Sequence, residues 1–134
     1  MKANILDKIL HDNLELIGLS RRGVDYALFE SVVSEGPFSL NEWNHFLHLP
    51  KDALQNYAKE GKSFSTFQSE RILEIARLQH KGADIFGNVE NFTKWMNADI
   101  IALGNVQPKT LLDNSFGISL VNAELVRIEH GVLA

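Results

Sequence analysis

A chain of 134 residues and 15.1 kDa is enough for one domain, or for two small units that share a core. Apolar residues make up 45% and charged residues 22%, an ordinary globular composition, and the absence of Cys excludes disulfides, thiolate metal ligands and a Cys nucleophile together. Seventeen acidic groups against 13 basic ones give a formal charge of −4, so nucleic acid has to be held by a local patch, not by overall charge. Splitting the chain at Gly82 leaves net −1 before it and net −3 in residues 83–134. No apolar run approaches the roughly 20 residues of a membrane span, and Met1-Lys2-Ala3-Asn4 begins no signal peptide, so a cytoplasmic protein without membrane contact is expected.

Helical spacing dominates from the start. Ile5, Leu6, Ile9 and Leu10 form one stripe behind Asn4, a candidate cap, and Gly18-Leu19-Ser20-Arg21-Arg22-Gly23 reads as a loop. Leu28, Phe29, Val32 and Val33 mark the buried face of a helix that stops at Gly36-Pro37, where Gly can turn left-handed and Pro breaks the ladder. Ser39-Leu40-Asn41-Glu42 is a capping box that opens a short helix carrying Leu40, Trp43, Phe46 and Leu47. After the turn His48-Leu49-Pro50, a second short helix runs from Lys51 to about Glu60, with Pro50 suited to its start. It should bury Ala53 or Leu54, Tyr57 and Ala58, and end at Gly61.

Ser65-Thr66-Phe67-Gln68 repeats the capping signature and starts a longer helix. Its stripe is Phe67, Ile72, Ile75, Ala76, Gln79, Ala83 and Phe86, closed by Gly87. Three more helical patterns follow: Val89 to Met96, Pro108 to Asn114, and Phe116 to about Glu129. Gly104-Asn105 and Ser115 through Gly117 supply the breaks, and Gly82, Gly87, Gly104 and Gly117 are assigned to helix ends. The expected fold class is all-α.

The two short helices have the size of a helix-turn-helix, whose second helix enters the major groove. Its exposed face would carry Lys51, Gln55, Asn56 and Lys59, with Lys62 just beyond; amides can read adenine, while Lys serves phosphate or guanine. Two consecutive short helices also occur in many all-α proteins, and Asp52 and Glu60 oppose the cations. His45 and His48 stand three apart, but without Cys or a carboxylate at ligand spacing they read as a solvated or packed pair. Asp84, Glu90, Asp99 and Asp113 are scattered, and no nucleophile triad or phosphate loop stands out, so no catalytic residue, metal or cofactor is expected. Trp43 and Trp95 read as core, with part of Trp95 available to a partner. In the last helix Leu120, Val121, Leu125 and Ile128 form a stripe, and Arg127, Glu129 and His130 crowd the final turn before Gly131 and the apolar Val132-Leu133-Ala134. Arg and His there also complement the helix dipole.

Ala83, Phe86-Gly87, Trp95, Leu103-Gly104, Pro108, Leu111-Leu112, Gly117, Val121, Leu125 and Arg127-Ile128-Glu129-His130-Gly131-Val132 recur in an order that resembles the toxin-binding domain of Xre/MbcA/ParS antitoxins. Those antitoxins pair with RES-domain toxins. Gly36 through Arg77, with Ser69-Glu70-Arg71 early in its long helix, fits the family's helix-turn-helix-like upstream part. Asn105, Met96 and Asn114 stand where the family more often has Gly, Leu and Thr.

The resemblance implies a helix-turn-helix-like part over 1–82, with DNA-binding or dimerising capacity, packed with a toxin-binding domain over 83–134. It further implies a non-enzymatic antitoxin that covers the active site of a cognate RES toxin, an NAD-consuming or ADP-ribosylating enzyme. Trp95, Arg127, Glu129, His130, Gly131, Val132, Leu133 and Ala134 would form the contact. A homodimer and autorepression through promoter DNA are also implied. A pocket built for an anionic dinucleotide has cationic donors, which Glu129 and the terminal carboxylate would suit, while Val132 and Leu133 would each add about 1.5–3 kcal/mol if fully covered. A DNA-binding repressor without a toxin partner is the second expectation, and an orphan structural protein the third.

Overall fold

The structure is a computed structural model that describes residue 6 and residues 8–131. The expected cap Asn4 and Ile5 of the first stripe, and Val132, Leu133 and Ala134, lie outside the described residues. A short helical segment burying Leu6 and Leu10 precedes α1 (Asn13–Arg22), α2 (Tyr26–Glu35), α3 (Leu40–Phe46), α4 (Ala53–Glu60), α5 (Thr66–Phe86) and α6 (Val89–Met96). Two 3-10 turns, Ile101–Leu103 and Pro108–Leu111, lead to α7 (Ser115–Gly131). Among the described residues the fold is all-α, with one isolated antiparallel bridge between Ile100 and Val106.

The long helix α5 is the centre, and α1, α2, α6 and α7 pack on it. Its inner side buries Ile72, Leu73, Ile75, Ala76 and Leu78, while three polar residues on the same helix tie down other elements. The Val24 N–H donates to Ser69 Oγ at 2.8 Å. Arg71 donates to the Phe46 carbonyl at 2.9 Å, and Gln79 Nε2 donates to the Val32 carbonyl at 2.7 Å. Both carbonyls lie in the last turns of α3 and α2, where no intrahelical partner exists. Beside α5 sits an aromatic cluster in which Phe29 meets Trp43 edge-on at 5.3 Å and Phe38 meets Phe46 at 5.1 Å. Such pairs add about 0.5–1.5 kcal/mol each beyond burial.

Both capping boxes form as expected. Glu42 N–H donates to Ser39 Oγ while Ser39 N–H donates to Glu42, and Gln68 and Ser65 do the same. Elsewhere the structure corrects the reading. Gly18 through Arg22 are helical, because Asp12 Oδ1 accepts from the Leu14 and Glu15 N–H groups at 3.0 and 3.2 Å and starts α1 earlier; only Gly23, at φ 93°, breaks it. Gly36 is extended rather than left-handed, and a Cβ there would meet the amide end of the Gln79 side chain, which would have to shift. Pro50 and Lys51 precede α4, which begins at Ala53 after Asp52 at φ 68°; Leu54 is buried, Tyr57 half-buried and Ala58 exposed.

Phe67 and Leu40 face solvent, with the Arg71 guanidinium 5.1 Å from the Phe67 ring centroid. Gly82 lies inside α5, where a Cβ would strike the Phe92 ring. Gly117 lies inside the first turns of α7, where a Cβ would strike the Leu111 carbonyl. The helix expected from Pro108 to Asn114 is only the 3-10 turn to Leu111, and Leu120 points outward from the α7 stripe. The division placed at Gly82 falls within the continuous α5.

Gly82→Ala and Gly117→Ala should each lower the unfolding free energy by about 1–3 kcal/mol through overpacking. Gly18→Ala, whose Cβ meets only the flexible end of Arg22, should raise it by up to about 1 kcal/mol, as expected of a helix interior. Urea unfolding measures all three, and a destabilised Gly18→Ala would contradict the helical assignment of that segment.

Candidate functional site

The C-terminal region is built around Gly82. Phe92 of α6 packs into the space the glycine leaves, and Asn88 caps α6 by accepting from the Asn91 N–H at 2.8 Å. This seats Trp95 against Phe86, ring centroids 5.6 Å apart, half-buried with the remainder toward solvent. Gly104 and Asn105, both left-handed at φ 90° and 62°, close the loop bridged by Ile100 and Val106. Asn114 Oδ1 accepts from the Gly117 N–H at 2.8 Å and starts α7.

The inner face of α7 buries Ile118, Val121 and Leu125, together with the carboxylate-bearing Glu124. Arg127 is exposed and reaches back one turn: its Nε lies 2.9 Å from Glu124 Oε1 while Nη2 binds Oε2, a two-pronged charged pair. The hydrogen bond from Arg127 holds the Glu124 carboxyl below the ordinary carboxylate value despite its burial. Sequence reading missed Glu124, although Glu-x-x-Arg at i, i+3 is the spacing such pairs require. Glu129 and His130 are exposed, with His130 Nε2 3.7 Å from Glu129 Oε1, and Gly131 is half-buried. Glu129 also borders a cavity of about 520 Å³ that Arg77, His80 and Lys81 of α5 line from the other side. Arg127, Glu129, His130 and Gly131 therefore share the end of α7, whereas Trp95 sits on α6 against Phe86.

On the opposite part of the chain, α3 and α4 are joined by residues 47–52. Lys51, Gln55, Asn56, Lys59 and Lys62 are all exposed, and so are Asp52 and Glu60. Lys62 Nζ lies 5.4 Å from the centre of the Tyr57 ring and 3.2 Å from Glu60, so part of its charge is answered within the chain. Tyr57 in turn stacks on Phe64 at 4.8 Å.

His45 and His48 turn toward the C-terminal region. His48 Nε2 lies 2.7 Å from the Asp113 carbonyl, an acceptor, which places the ring proton on Nε2. His45 Nε2 is 3.7 Å from the Asp113 carboxylate, and Lys109 Nζ is 2.9 Å from Glu42. Burial pushes the Glu42 carboxyl up, but the hydrogen bonds from Lys109 and the Ser39 N–H bring it below the ordinary value. The two histidines are thus exposed side chains that each contact Asp113, and among the described residues no cluster of His, Asp and Glu could hold a metal. No helix among those residues is long and apolar enough to cross a membrane.

Because the folded-state pKa values of Glu42 and Glu124 are depressed, their stabilisation is complete above the unfolded carboxylate range and disappears as pH falls through the folded values. Arg127→Met should move the Glu124 titration upward, measured by carbon NMR of the side-chain carboxyl. An unmoved titration would show that the pair does not set it.

Residues 81–131 match the antitoxin Xre/MbcA/ParS C-terminal toxin-binding domain. The chain is similar to an Antitoxin Xre of Photorhabdus laumondii, 29% identical over 104 residues that span 71% of this chain and 70% of the relative. It is 30% identical to an Antitoxin Xre of Yersinia enterocolitica over 87 residues, 64% of this chain and 59% of that one. A Prs ADP-ribosylating antitoxin of a Sphingobium species is 25% identical over 130 residues, 90% of this chain and 82% of the relative. The matched segment runs from the end of α5, which carries Gly82, through α6 and the two 3-10 turns to the end of α7, and together with these relatives it supports an Xre/ParS-type antitoxin.

Proposed function

We propose that the chain neutralises a RES-domain toxin that consumes NAD or transfers ADP-ribose from it, by laying the end of α7 and residues 132–134 over the toxin's active site. The observation that carries this reading is the match of residues 81–131 to a toxin-binding domain whose last helix ends in exposed Arg127, Glu129 and His130. The name of the Sphingobium relative joins an antitoxin to ADP-ribosylation, the chemistry invoked.

Electrostatics supports the same reading. Glu124 neutralises Arg127, so the acid that the final turns present is Glu129, reinforced by the negative end of the helix dipole. A nucleotide pocket lined with cationic donors is complementary to that sign. Trp95, half-buried beside Phe86, supplies an aromatic anchor. Deleting residues 132–134, or replacing Glu129 with Lys, should restore NAD loss and growth arrest in cells that co-express a RES-domain toxin which the intact chain neutralises, with helicity by circular dichroism unchanged. Full protection by the truncated chain would sink the covering mechanism.

A second reading, autorepression by a homodimer or repression without any toxin, is favoured by the joint exposure of Lys51, Gln55, Asn56, Lys59 and Lys62 on and beside α4. Mobility shifts on the upstream DNA across salt concentrations test it, since each phosphate-binding Lys removed should lower the salt slope by about 1. The absence of a shift at low salt, with and without toxin, removes that reading.

A further inference from the structure

We infer that two copies of this chain pair through the outward face of α1, with the two α1 helices antiparallel across a two-fold axis; this rests on the homodimer reading above and names its contact surface. α1 packs on the core through Leu16, Leu19 and Ser20. The side turned away carries Leu14, Gly18 and Arg21 at i, i+4 and i+7, flanked by Ile17 on one edge and by Glu15 and Arg22 on the other. Leu14 is 80% exposed and Ile17 44%, although the inner side of the same helix already supplies its packing.

The charges along α1 select the occupant. Glu15 stands in the first turn, and Arg21 and Arg22 in the last, all exposed. A second copy laid antiparallel brings Arg22 of the partner subunit toward Glu15, and the reciprocal pair forms at the other end. A parallel copy would set like charges together. A patch that answers itself under a two-fold rotation is what an isologous contact requires. That order of charges also suits the dipole of α1 itself, but the dipole does not account for Leu14 and Ile17.

The Ile17 edge adds a second, independent match. There a cavity of about 470 Å³ separates α1 from α5, bordered by Ile17, Leu73, Glu70, Glu74 and Arg77. Arg77 Nη1 donates to Asn13 Oδ1 at 2.9 Å, while the Val24 N–H reaches Ser69, so α1 and α5 run in opposite directions. The Leu14 end of α1 therefore lies beside Glu74, and the antiparallel copy brings Arg21 of the partner subunit to that end. Burial, with Glu70 nearby, pushes the Glu74 carboxyl above the ordinary value although Arg71 Nε is 3.8 Å away and Arg77 is close. A further cation relieves that burial. Phe67, 54% exposed, stands on the same line of α5 as Glu70 and Glu74 and widens the apolar surface. α1 has 10 residues and a length of about 15 Å, so with the line on α5 the face suits a dimer of micromolar rather than nanomolar strength. It lies outside residues 81–131, the segment that matches a toxin-binding domain.

Sedimentation velocity of the full chain, from micromolar to millimolar concentration, tests the pairing. Leu14→Lys should weaken self-association by about 10-fold or more, and Glu15→Lys, Arg21→Glu and Arg22→Glu by about 3–10-fold each, every change counting twice in a symmetric dimer. Glu15→Lys combined with Arg22→Glu should bring it back to within about twofold of the unaltered chain, because the pair is restored with its polarity reversed. Helicity and melting temperature of the dilute chain should stay unchanged, since these side chains are exposed. A monomer at every concentration overturns the inference together with the homodimer reading. A dimer indifferent to Leu14→Lys and to the charge variants overturns this surface and leaves the homodimer reading standing. Single losses that the double variant does not recover overturn the antiparallel pairing.

Discussion

Ser69, Arg71 and Gln79 project from the buried part of α5, and each satisfies a backbone group of another element: the Val24 N–H, the Phe46 carbonyl and the Val32 carbonyl. A buried group left without its partner costs about 1–3 kcal/mol, so these bonds act as positional constraints as much as attractions. They hold α2, α3 and the entry to α2 in register around one helix. Farther along that helix Gly82 admits Phe92, which seats α6 and with it Trp95. The upstream helices and the region that matches a toxin-binding domain thus take their positions from a common axis.

A second set of links joins the two regions at the surface. Glu42 meets Lys109, and His48 meets the Asp113 carbonyl, so the first turn of α3 and the turn that follows the helix are fastened to the chain that leads into α7. Pairs near the surface contribute about 0–1 kcal/mol each, too little to hold the fold together. Their effect is on orientation: the exposed face of α4 and the outer face of α7 are presented from one body.

Local signals were legible in the sequence, and tertiary ones were not. Ser39-x-x-Glu42 and Ser65-x-x-Gln68 are read correctly because both halves of a capping box lie within four residues. Spacing assigns Gly82 and Gly117 to helix ends, yet each lies inside a helix where a neighbouring element, the Phe92 ring or the Leu111 carbonyl, leaves no room for a Cβ, which spacing cannot reveal. The two glycines make Gly18 to Gly23 look like a loop, and only the Asp12 cap, which starts the helix upstream, shows it to be helical as far as Arg22. Phe67 and Leu120 show a different limit. Periodicity identifies apolar residues, but a helix with apolar residues on two sides does not state which side meets the core. For the candidate site, the ordered residues from Ala83 to Val132 located the region, while Glu124 passed unnoticed because a carboxylate inside an apolar stripe acquires meaning only once Arg127 is seen folding back on it.

The uninterrupted course of α5 also bears on how such a protein can be rebuilt by recombination. A crossover near residue 82 would cut the chain in mid-turn, separating the helix that carries Ser69, Arg71 and Gln79 from the glycine that accommodates Phe92. A better junction is Gly87, left-handed at φ 91° with open space around it, where a foreign C-terminal segment can be joined only if it brings an aromatic shaped for the recipient's glycine notch.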